Sequence, residues 1–385
     1  MENYNNKIFL WGYYGAKNVG DDLLLSLFLD FLLKYKGVKI QVIVAKVYED
    51  SKKHDSVDFL INPVFISLRR FAALKNIFFY VKTIKNNDLV IFGGGTVLFE
   101  TDKTKYKSLL SKYLILLINS MCYRRPILHL GVGVGNVKTS IGKFCLRKIL
   151  NYADAINLRE TQSYETVLSY IKDKRKVSIG NDLAYLRPFS PRIKKESYNI
   201  GMSLFQYYGY ISNEKSKICS FYSIYKNMIL KILEKYSQLQ IHLFSFQKDR
   251  GGNDEEFNLK FKNEIVNNRL HVYPYSSNLD IFVKNMKSMD LCIGMRLHFL
   301  ILSILHGIPI IGLNYQPKIK NELLSLGLEK FCIEIDNIPQ ILLFLDSFIE
   351  NRRNFYSMYD DAFDKVKIKN YQTNIILSNL LSPYL

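Results

Sequence analysis

Residues 290–318 read DLCIGMRLHFLILSILHGIPIIGLNYQPK. Asp290–Ile293 has the length and apolar character of a buried strand, and it stops at Gly294. Arg296–His306 is an almost wholly apolar helix. Gly307-Ile308-Pro309 then turns the chain into a second apolar strand, Ile308–Leu313. Leu297–Leu313 is the longest apolar stretch of the chain, but Ser303, His306, Gly307 and Pro309 interrupt it. A membrane-spanning helix needs roughly 20 apolar residues, so this stretch reads as buried helix and strand. Strand, helix and strand buried on both faces is the repeating unit of a parallel sheet covered by helices.

The same alternation extends in both directions. Upstream, Ile8–Gly12, Val38–Ala45, Asp88–Phe92, Pro126–Leu130, Ala155–Leu158 and Val177–Ile179 read as strands, with helical patterns over Asp21–Lys34, Leu68–Lys85 and Lys105–Tyr123. In the second half Tyr198–Ser203, Gln240–Phe246, Leu270–Tyr273 and Phe331–Ile335 join the two strands above. RPFSPRIKKESY, Arg187–Tyr198, is polar and basic with two prolines, the composition of an exposed linker. The expected architecture is α/β: two Rossmann-like doubly wound domains, residues 1–187 and 198–351, facing a cleft. A helical segment, 352–385, is expected to pack back on the first domain. In such sheets ligands gather at the carboxyl ends of the strands, so the loops there are where chemistry is expected.

Composition narrows the function. The 385 residues suit two or three domains at ~100–200 residues each. Hydrophobic residues make up 48% and charged residues 23%, enough to build a core and too apolar for a disordered chain. Fifty-three Lys and Arg against 35 Asp and Glu leave a net charge of +18, which points to an anionic partner. The basic residues are spread out, against a dedicated nucleic-acid module. Five scattered cysteines (Cys122, Cys145, Cys219, Cys292, Cys332) argue against a disulfide framework or a structural zinc site. The amino-terminal apolar run is short and lacks a basic leader, so it does not read as a signal peptide. The expected location is cytoplasmic, with peripheral contact at the inner face of the membrane left open by the charge.

Five segments carry candidate chemistry. GYYGAKNVGDD, Gly12–Asp22, ends a strand and opens a helix, where Asn18 and Asp21 can cap and N–H groups can meet an anion. A simple turn with a cap would produce the same pattern. IFGGGTVLFE, Ile91–Glu100, places Gly94 and Gly95 where backbone can approach a ligand, with Glu100 as a possible base; close strand–helix packing is the plainer explanation. GVGVGN, Gly131–Asn136, reads as a third glycine loop. In INLRETQSYETV, Ile156–Val167, Arg159 stands at a strand end, placed either for a phosphate or carboxylate or for a local ion pair. Arg296 and His298 open the apolar helix, a cation and an imidazole at a helix mouth, and Lys318 follows the next strand. His306 reads as a structural histidine. No HExxH, G-x-S-x-G or P-loop pattern occurs.

In this order the motifs resemble the polysaccharide pyruvyl transferase family. The resemblance runs from about Ile8 to Lys318 and rests on GYYGAKNVGDD, DLVIFGGG, GVGVG, NLRETQSYE and, most specifically, Met-Arg-Leu-His followed by Gly-x-Pro and Tyr-x-Pro-Lys. It implies a fold similar to the type-B glycosyltransferases, with donor bound by the second domain and acceptor by the first. It also implies transfer of the enolpyruvyl carbons of phosphoenolpyruvate to a glycan acceptor, often lipid-linked, as a cyclic ketal. Arg159, Arg296, Leu297 and His298 fall on the family's donor-binding and catalytic positions, and Lys318 on its motif lysine. Asn18, Gly94 and Gly95 would add binding groups, and His298 with Asp21 or Glu100 would move protons. No metal or organic cofactor is required, and no nucleic-acid partner is expected. The chain departs from the family pattern at Glu100, where Asp is commoner, and at Gly180-Asn181-Asp182-Leu183, where Asp-Pro is usual. Two rivals are a nucleotide-sugar glycosyltransferase of the same fold and a non-catalytic anionic-glycan-binding protein. The first is weakened by Leu302, which stands where retaining members hold the ribose with glutamate.

Overall fold

Short runs of Ile, Val, Leu and Phe form strands because both faces of each run can be buried under helices. A computed structural model of the chain describes residues 6–45, 55–62, 72–100, 105–191, 198–207, 215–248 and 253–385. The chain divides into two units, one of residues Met1–Ala16, Asp21–Leu186 and Tyr371–Leu385, the other of Lys17–Gly20 and Arg187–Asn370.

The first unit runs β1 (Lys7–Tyr14), α1 (Val19–Leu32), β2 (Lys39–Val44), β3 (Val57–Ile61), α2 (Ala72–Lys85), β4 (Leu89–Gly93), β5 (Thr96–Leu98), α3 (Lys107–Ile118), β6 (Ile127–Val134), α4 (Ser140–Tyr152), β7 (Ala155–Leu158), α5 (Thr161–Leu168) and β8 (Val177–Ile179). Its strands pair in parallel in the order β3-β2-β1-β4-β6-β7-β8, with β5 attached to β6. Ile8 stands between Ile40 on one side and Leu89 on the other, which fixes the register of the centre. An aromatic stack fills one face of the sheet: Trp11 lies 4.6 Å from Phe92, and Phe92 lies 4.5 Å from the buried ring of His129.

The second unit runs β9 (Asn199–Ser203), α6 (Lys215–Lys235), β10 (Gln240–Phe244), α7 (Asp254–Glu264), β11 (Leu270–Tyr273), α8 (Leu279–Met286), β12 (Leu291–Gly294), α9 (Leu297–Leu305), β13 (Ile310–Asn314), α10 (Pro317–Leu326), β14 (Cys332–Glu334), α11 (Ile338–Glu350), α12 (Arg352–Ser357) and α13 (Asp360–Leu381). Its sheet is also parallel, in the order β11-β10-β9-β12-β13-β14. Every residue of α9 except His298 is buried, as its apolar sequence requires. α12 is held by Arg352, whose Nη2 lies 2.7 Å from the fully buried Asp290 and whose guanidinium rests on Tyr198 and Phe348. Tyr359 donates to the carbonyl of Ile310 at 2.7 Å. The carboxyl-terminal segment from residue 352 is thus shared: its residues to Asn370 group with the second unit and Tyr371–Leu385 with the first.

The strand order reverses between β1 and β4 in one sheet and between β9 and β12 in the other. Strand ends at such a reversal are the ordinary ligand position in doubly wound sheets.

Three expectations change. Gly131-Val132-Gly133 is the end of strand β6 rather than a loop; pairing with β7 shifts register between His129 and Val132, and Gly131 adopts φ +62 at that bulge. The helix expected over Lys105–Tyr123 stops at Ile118 and continues as a π-helical turn, Asn119–Tyr123, ended by left-handed Arg124 and closed by Asn119 bonding to both backbone groups of Arg125. Strands β3 and β5 were not legible, the one short and half-exposed and the other three residues long. Residues 68–71 of the second expected helix and 192–197 of the expected linker lie outside the described residues.

Candidate active site

In the first unit the crossover loops bring Asp21 to the glycine run. β4 ends at Gly93, whose carbonyl accepts the Tyr14 hydroxyl. Gly94 and Gly95 turn the chain at φ +61 and +71, a region other residues rarely enter. A Cβ on Gly94 would press on Leu24 and Leu183, so that glycine serves packing as well as conformation. A Cβ on Gly95 would meet only the Asp21 carboxylate, at 3.3 Å. Burial, and then the negative charge of Asp21, push the Tyr14 phenol well above its usual value. The neighbouring Asp22 is buried and accepts the Gly15 N–H at 2.9 Å, holding the loop that carries Asp21.

Arg159 is brought to the same strand ends but is engaged. Its side chain is 6% exposed, with Nη1 3.0 Å from Asp182 Oδ2 and Nη2 2.9 Å from Thr96 Oγ1. A Cβ on Gly133 would come 3.0 Å from its Nε, so a larger residue there would crowd the guanidinium. Asp182, in the segment that departs from the family pattern, supplies this ion pair and also accepts the Ala184 N–H at 3.0 Å.

Glu100 is placed elsewhere. Its Oε2 accepts the N–H groups of Lys138 and Thr139 at 2.7 and 3.0 Å, and its Oε1 accepts the Thr139 hydroxyl at 2.5 Å. Thr139 in turn caps α4 by accepting the Gly142 N–H. Burial pushes the pKa of Glu100 up, but the Thr139 and Lys138 hydrogen bonds and the nearby Lys143 outweigh it and hold the carboxyl below its usual value. Both oxygens are committed to the start of α4.

In the second unit Arg296, Leu297 and His298 follow β12. Arg296 is the non-helical residue before α9, with φ −78 and ψ 119. Its Nε and Nη2 donate to Asp254 at 3.1 and 2.6 Å, and its guanidinium lies 3.9 Å over the Phe205 ring. Leu297 is buried at the first helical position. His298 is half-buried with its imidazole against Gly20: a Cβ there would stand 2.1 Å from Nδ1. Gly20 belongs to the Lys17–Gly20 segment of this unit, which is held by Phe246–Lys248. Val19 N–H donates to Phe246 O at 2.9 Å, and Lys248 N–H to Lys17 O at 3.1 Å. Asn18 Oδ1 accepts the Gly20 N–H at 2.9 Å, which caps the start of α1. Lys318, in the first turn of α10, has its Nζ 5.5 Å from the Tyr315 ring, and Tyr315 packs edge-on against Phe205 and Tyr207.

Two residues central to this arrangement escaped the sequence reading. Asp254 opens α7, 42 residues before Arg296, and accepts from the N–H groups of Phe246 and Gln247 as well as from Arg296. Burial raises the pKa of Asp254, against the lowering effect of Arg296 and the two backbone donors. Phe205 follows β9. Neither had a local motif; for Asp254 the only signal was an acid at a helix start just after the glycine pair Gly251-Gly252. His306 is structural, its Nδ1 2.7 Å from the Ser190 hydroxyl.

A parallel doubly wound sheet in each unit, with polar residues gathered where the strand order reverses, defines the class as a GT-B-like two-domain α/β protein. A family model described as polysaccharide pyruvyl transferase matches residues 18–317, and the chain belongs to that family. Solved structures agree on the fold. The Anabaena HepE protein in complex with UDP and glucose aligns with a TM-score of 0.64 at 12% identity, covering 97% of this chain and 99% of its own. The UDP-GlcNAc 2-epimerase of Neisseria meningitidis bound to UDP-GlcNAc gives 0.58 at 13%, covering 98% and 99%. The enzyme of that name from Methanocaldococcus jannaschii gives 0.61 at 12%, covering 98% and 99%. No curated protein sequence matches the chain.

Proposed function

We propose that the chain transfers the enolpyruvyl carbons of phosphoenolpyruvate to two hydroxyls of a glycan acceptor, forming a cyclic pyruvate ketal and releasing phosphate. The observation that carries this reading is the family match together with the position of Arg296-Leu297-His298 at the strand-order reversal of the second sheet.

The donor carries a phosphate and a carboxylate. Arg296, Lys318 and the backbone N–H groups that open α9 are the donors proposed for them, since the first N–H groups of a helix lack intrahelical partners and favour anions. Asp254 keeps the guanidinium of Arg296 in one orientation from below. Proton transfer to the methylene carbon of the donor makes it a methyl and leaves an oxocarbenium-like centre. A sugar hydroxyl attacks that centre and gives up its proton. Departure of phosphate and attack by the second hydroxyl close the ketal, the second proton leaving with phosphate. His298 is the proposed acid and Asp21 the proposed base, each a positioned group of the kind that contributes ~100- to 10,000-fold. Glu100 is better read as the anchor of α4, and Arg159 as the residue that holds Thr96 and the end of β6 beside the glycine run. Asn18 fixes the backbone at Gly20, beside His298, and Gly95 forms the turn that faces Asp21.

The acceptor is proposed to be a sugar of a polysaccharide or a lipid-linked oligosaccharide. Incubation of candidate acceptors with phosphoenolpyruvate, followed by mass spectrometry and phosphate assay, tests the reading. The expected product is heavier by one pyruvate less water, with phosphate formed in equal amount. Thermal protection by UDP-sugars and none by phosphoenolpyruvate would overturn it in favour of a nucleotide-sugar enzyme.

A further inference from the structure

The helices α2, α3 and α4 cover one face of the first sheet side by side, α3 packing on both of the others. Tyr113 of α3 meets Phe144 and Tyr152 of α4 through ring contacts of 5.7 and 6.3 Å. Residues 72–85, 105–125 and 138–152, which hold these helices and their ends, contain twelve lysines and arginines and no aspartate or glutamate. A layer that merely had to be soluble would mix both signs. Large apolar side chains also stand out into solvent on it: Phe78 is 73% exposed, Met121 71%, Phe144 51% and Ile141 47%. Met121 sits on the π-helical turn, the least regular part of the layer. Exposed cations stand on the same helices, among them Lys82 and Lys85 on α2 and Lys143, Arg147 and Lys148 on α4, the last with its Nζ 5.6 Å from the Phe144 ring.

We infer that this face docks on an anionic lipid bilayer, with Phe78, Met121, Ile141 and Phe144 entering the headgroup–acyl boundary and the lysines and arginines meeting acidic headgroups. The combination decides the occupant. A nucleic acid or other soluble polyanion would use the cations and leave four large apolar groups in water. A second copy of the chain docked through the same face would set one largely basic surface against another, with Asp88 already paired to Arg125 and Glu100 to the start of α4. An acidic lipid surface satisfies both chemistries at once. The inference is independent of the reaction proposed above, because it concerns binding alone.

The test is co-sedimentation of the full chain with phosphatidylcholine vesicles, with and without phosphatidylglycerol. Binding is expected to the anionic vesicles and not to the neutral ones, and to fall steeply with salt. The triple variant Lys143→Glu, Arg147→Glu, Lys148→Glu is expected to bind about 100-fold more weakly or worse, since each basic residue near the surface contributes separately. Phe78→Ser with Met121→Ser is expected to weaken binding while changing the thermal melt little, as these two side chains are 73% and 71% exposed. Phe78→Trp adds a direct reading, because the native Trp11 is buried: its emission should shift to the blue with anionic vesicles. Absence of binding to anionic vesicles at low salt would overturn the inference. So would binding that the apolar variants leave intact and duplex DNA displaces, which would make the face a polyanion surface.

Discussion

Asp254 grips Arg296 through both of its carboxylate oxygens, and the same carboxylate receives the backbone N–H groups of Phe246 and Gln247. Phe246 and Lys248 in turn hold Lys17–Gly20, the segment on which His298 rests. One buried acid therefore orients both the cation proposed to bind the donor and the floor beneath the proposed acid.

Asp254→Ala should leave Arg296 partly buried without its partner and cost on the order of 3–5 kcal/mol, read from urea denaturation. Asp254→Asn keeps the shape and should spare more stability. Its KM for phosphoenolpyruvate should rise more than its kcat falls, because the lesion is in orientation of a binding group. An unchanged KM would remove Asp254 from the site.

Gly20 predicts its own mutant. A methyl group there would overlap the His298 ring at 2.1 Å, and the imidazole must swing away. Gly20→Ala should therefore reproduce much of the activity loss of His298→Ala, roughly 100-fold or more, while its melting temperature changes little. Full activity in Gly20→Ala would mean that the position of the imidazole is immaterial.

Glu100 separates stability from chemistry. Its folded-state pKa lies below the usual value, so its contribution is complete above about pH 4.5 and is lost as pH falls through the folded value. Glu100→Gln should melt lower than wild type at neutral pH, and the gap should narrow in acid. Phosphate release at neutral pH and moderate temperature should stay near wild type. A loss as severe as that of Asp21→Asn would restore Glu100 as a base.

Buried histidines weaken the fold in acid. Burial brings His129 down to about 3, and burial with nearby Arg187 and Lys287 brings His306 down to about 3. Each favours the neutral ring when folded, so stability is full above the unfolded value of about 6.5 and drains away as pH falls below it. Neither ring nitrogen of His129 has a hydrogen-bond partner among the described residues, and its ring is stacked on Phe92. His129→Phe should therefore gain stability at pH 5 relative to pH 8, measured by thermal melting. Equal shifts at both pH values would show that His129 does not titrate on unfolding.

The family, the two doubly wound halves and the segment Met295–His298 were legible because they depend on local information. Apolar runs of strand length, helical periodicity and glycines at strand ends are written within a few residues of each other. Strand β3 and the π turn after α3 were hidden because their conformations are set by neighbours and not by their own pattern. The part played by each polar residue was likewise decided only by tertiary structure. Glu100 and Asp21 are both acids near glycines in the chain, yet one is spent on the amides that begin α4 and the other faces Gly95. Asp254 had no motif because its partner lies 42 residues away, and only the parallel sheet brings the start of α7 and the end of β12 together. Backbone conformation follows short-range sterics and burial patterns that a sequence records directly. The pairing of buried charges depends on desolvation and distance, which exist only once the chain is folded.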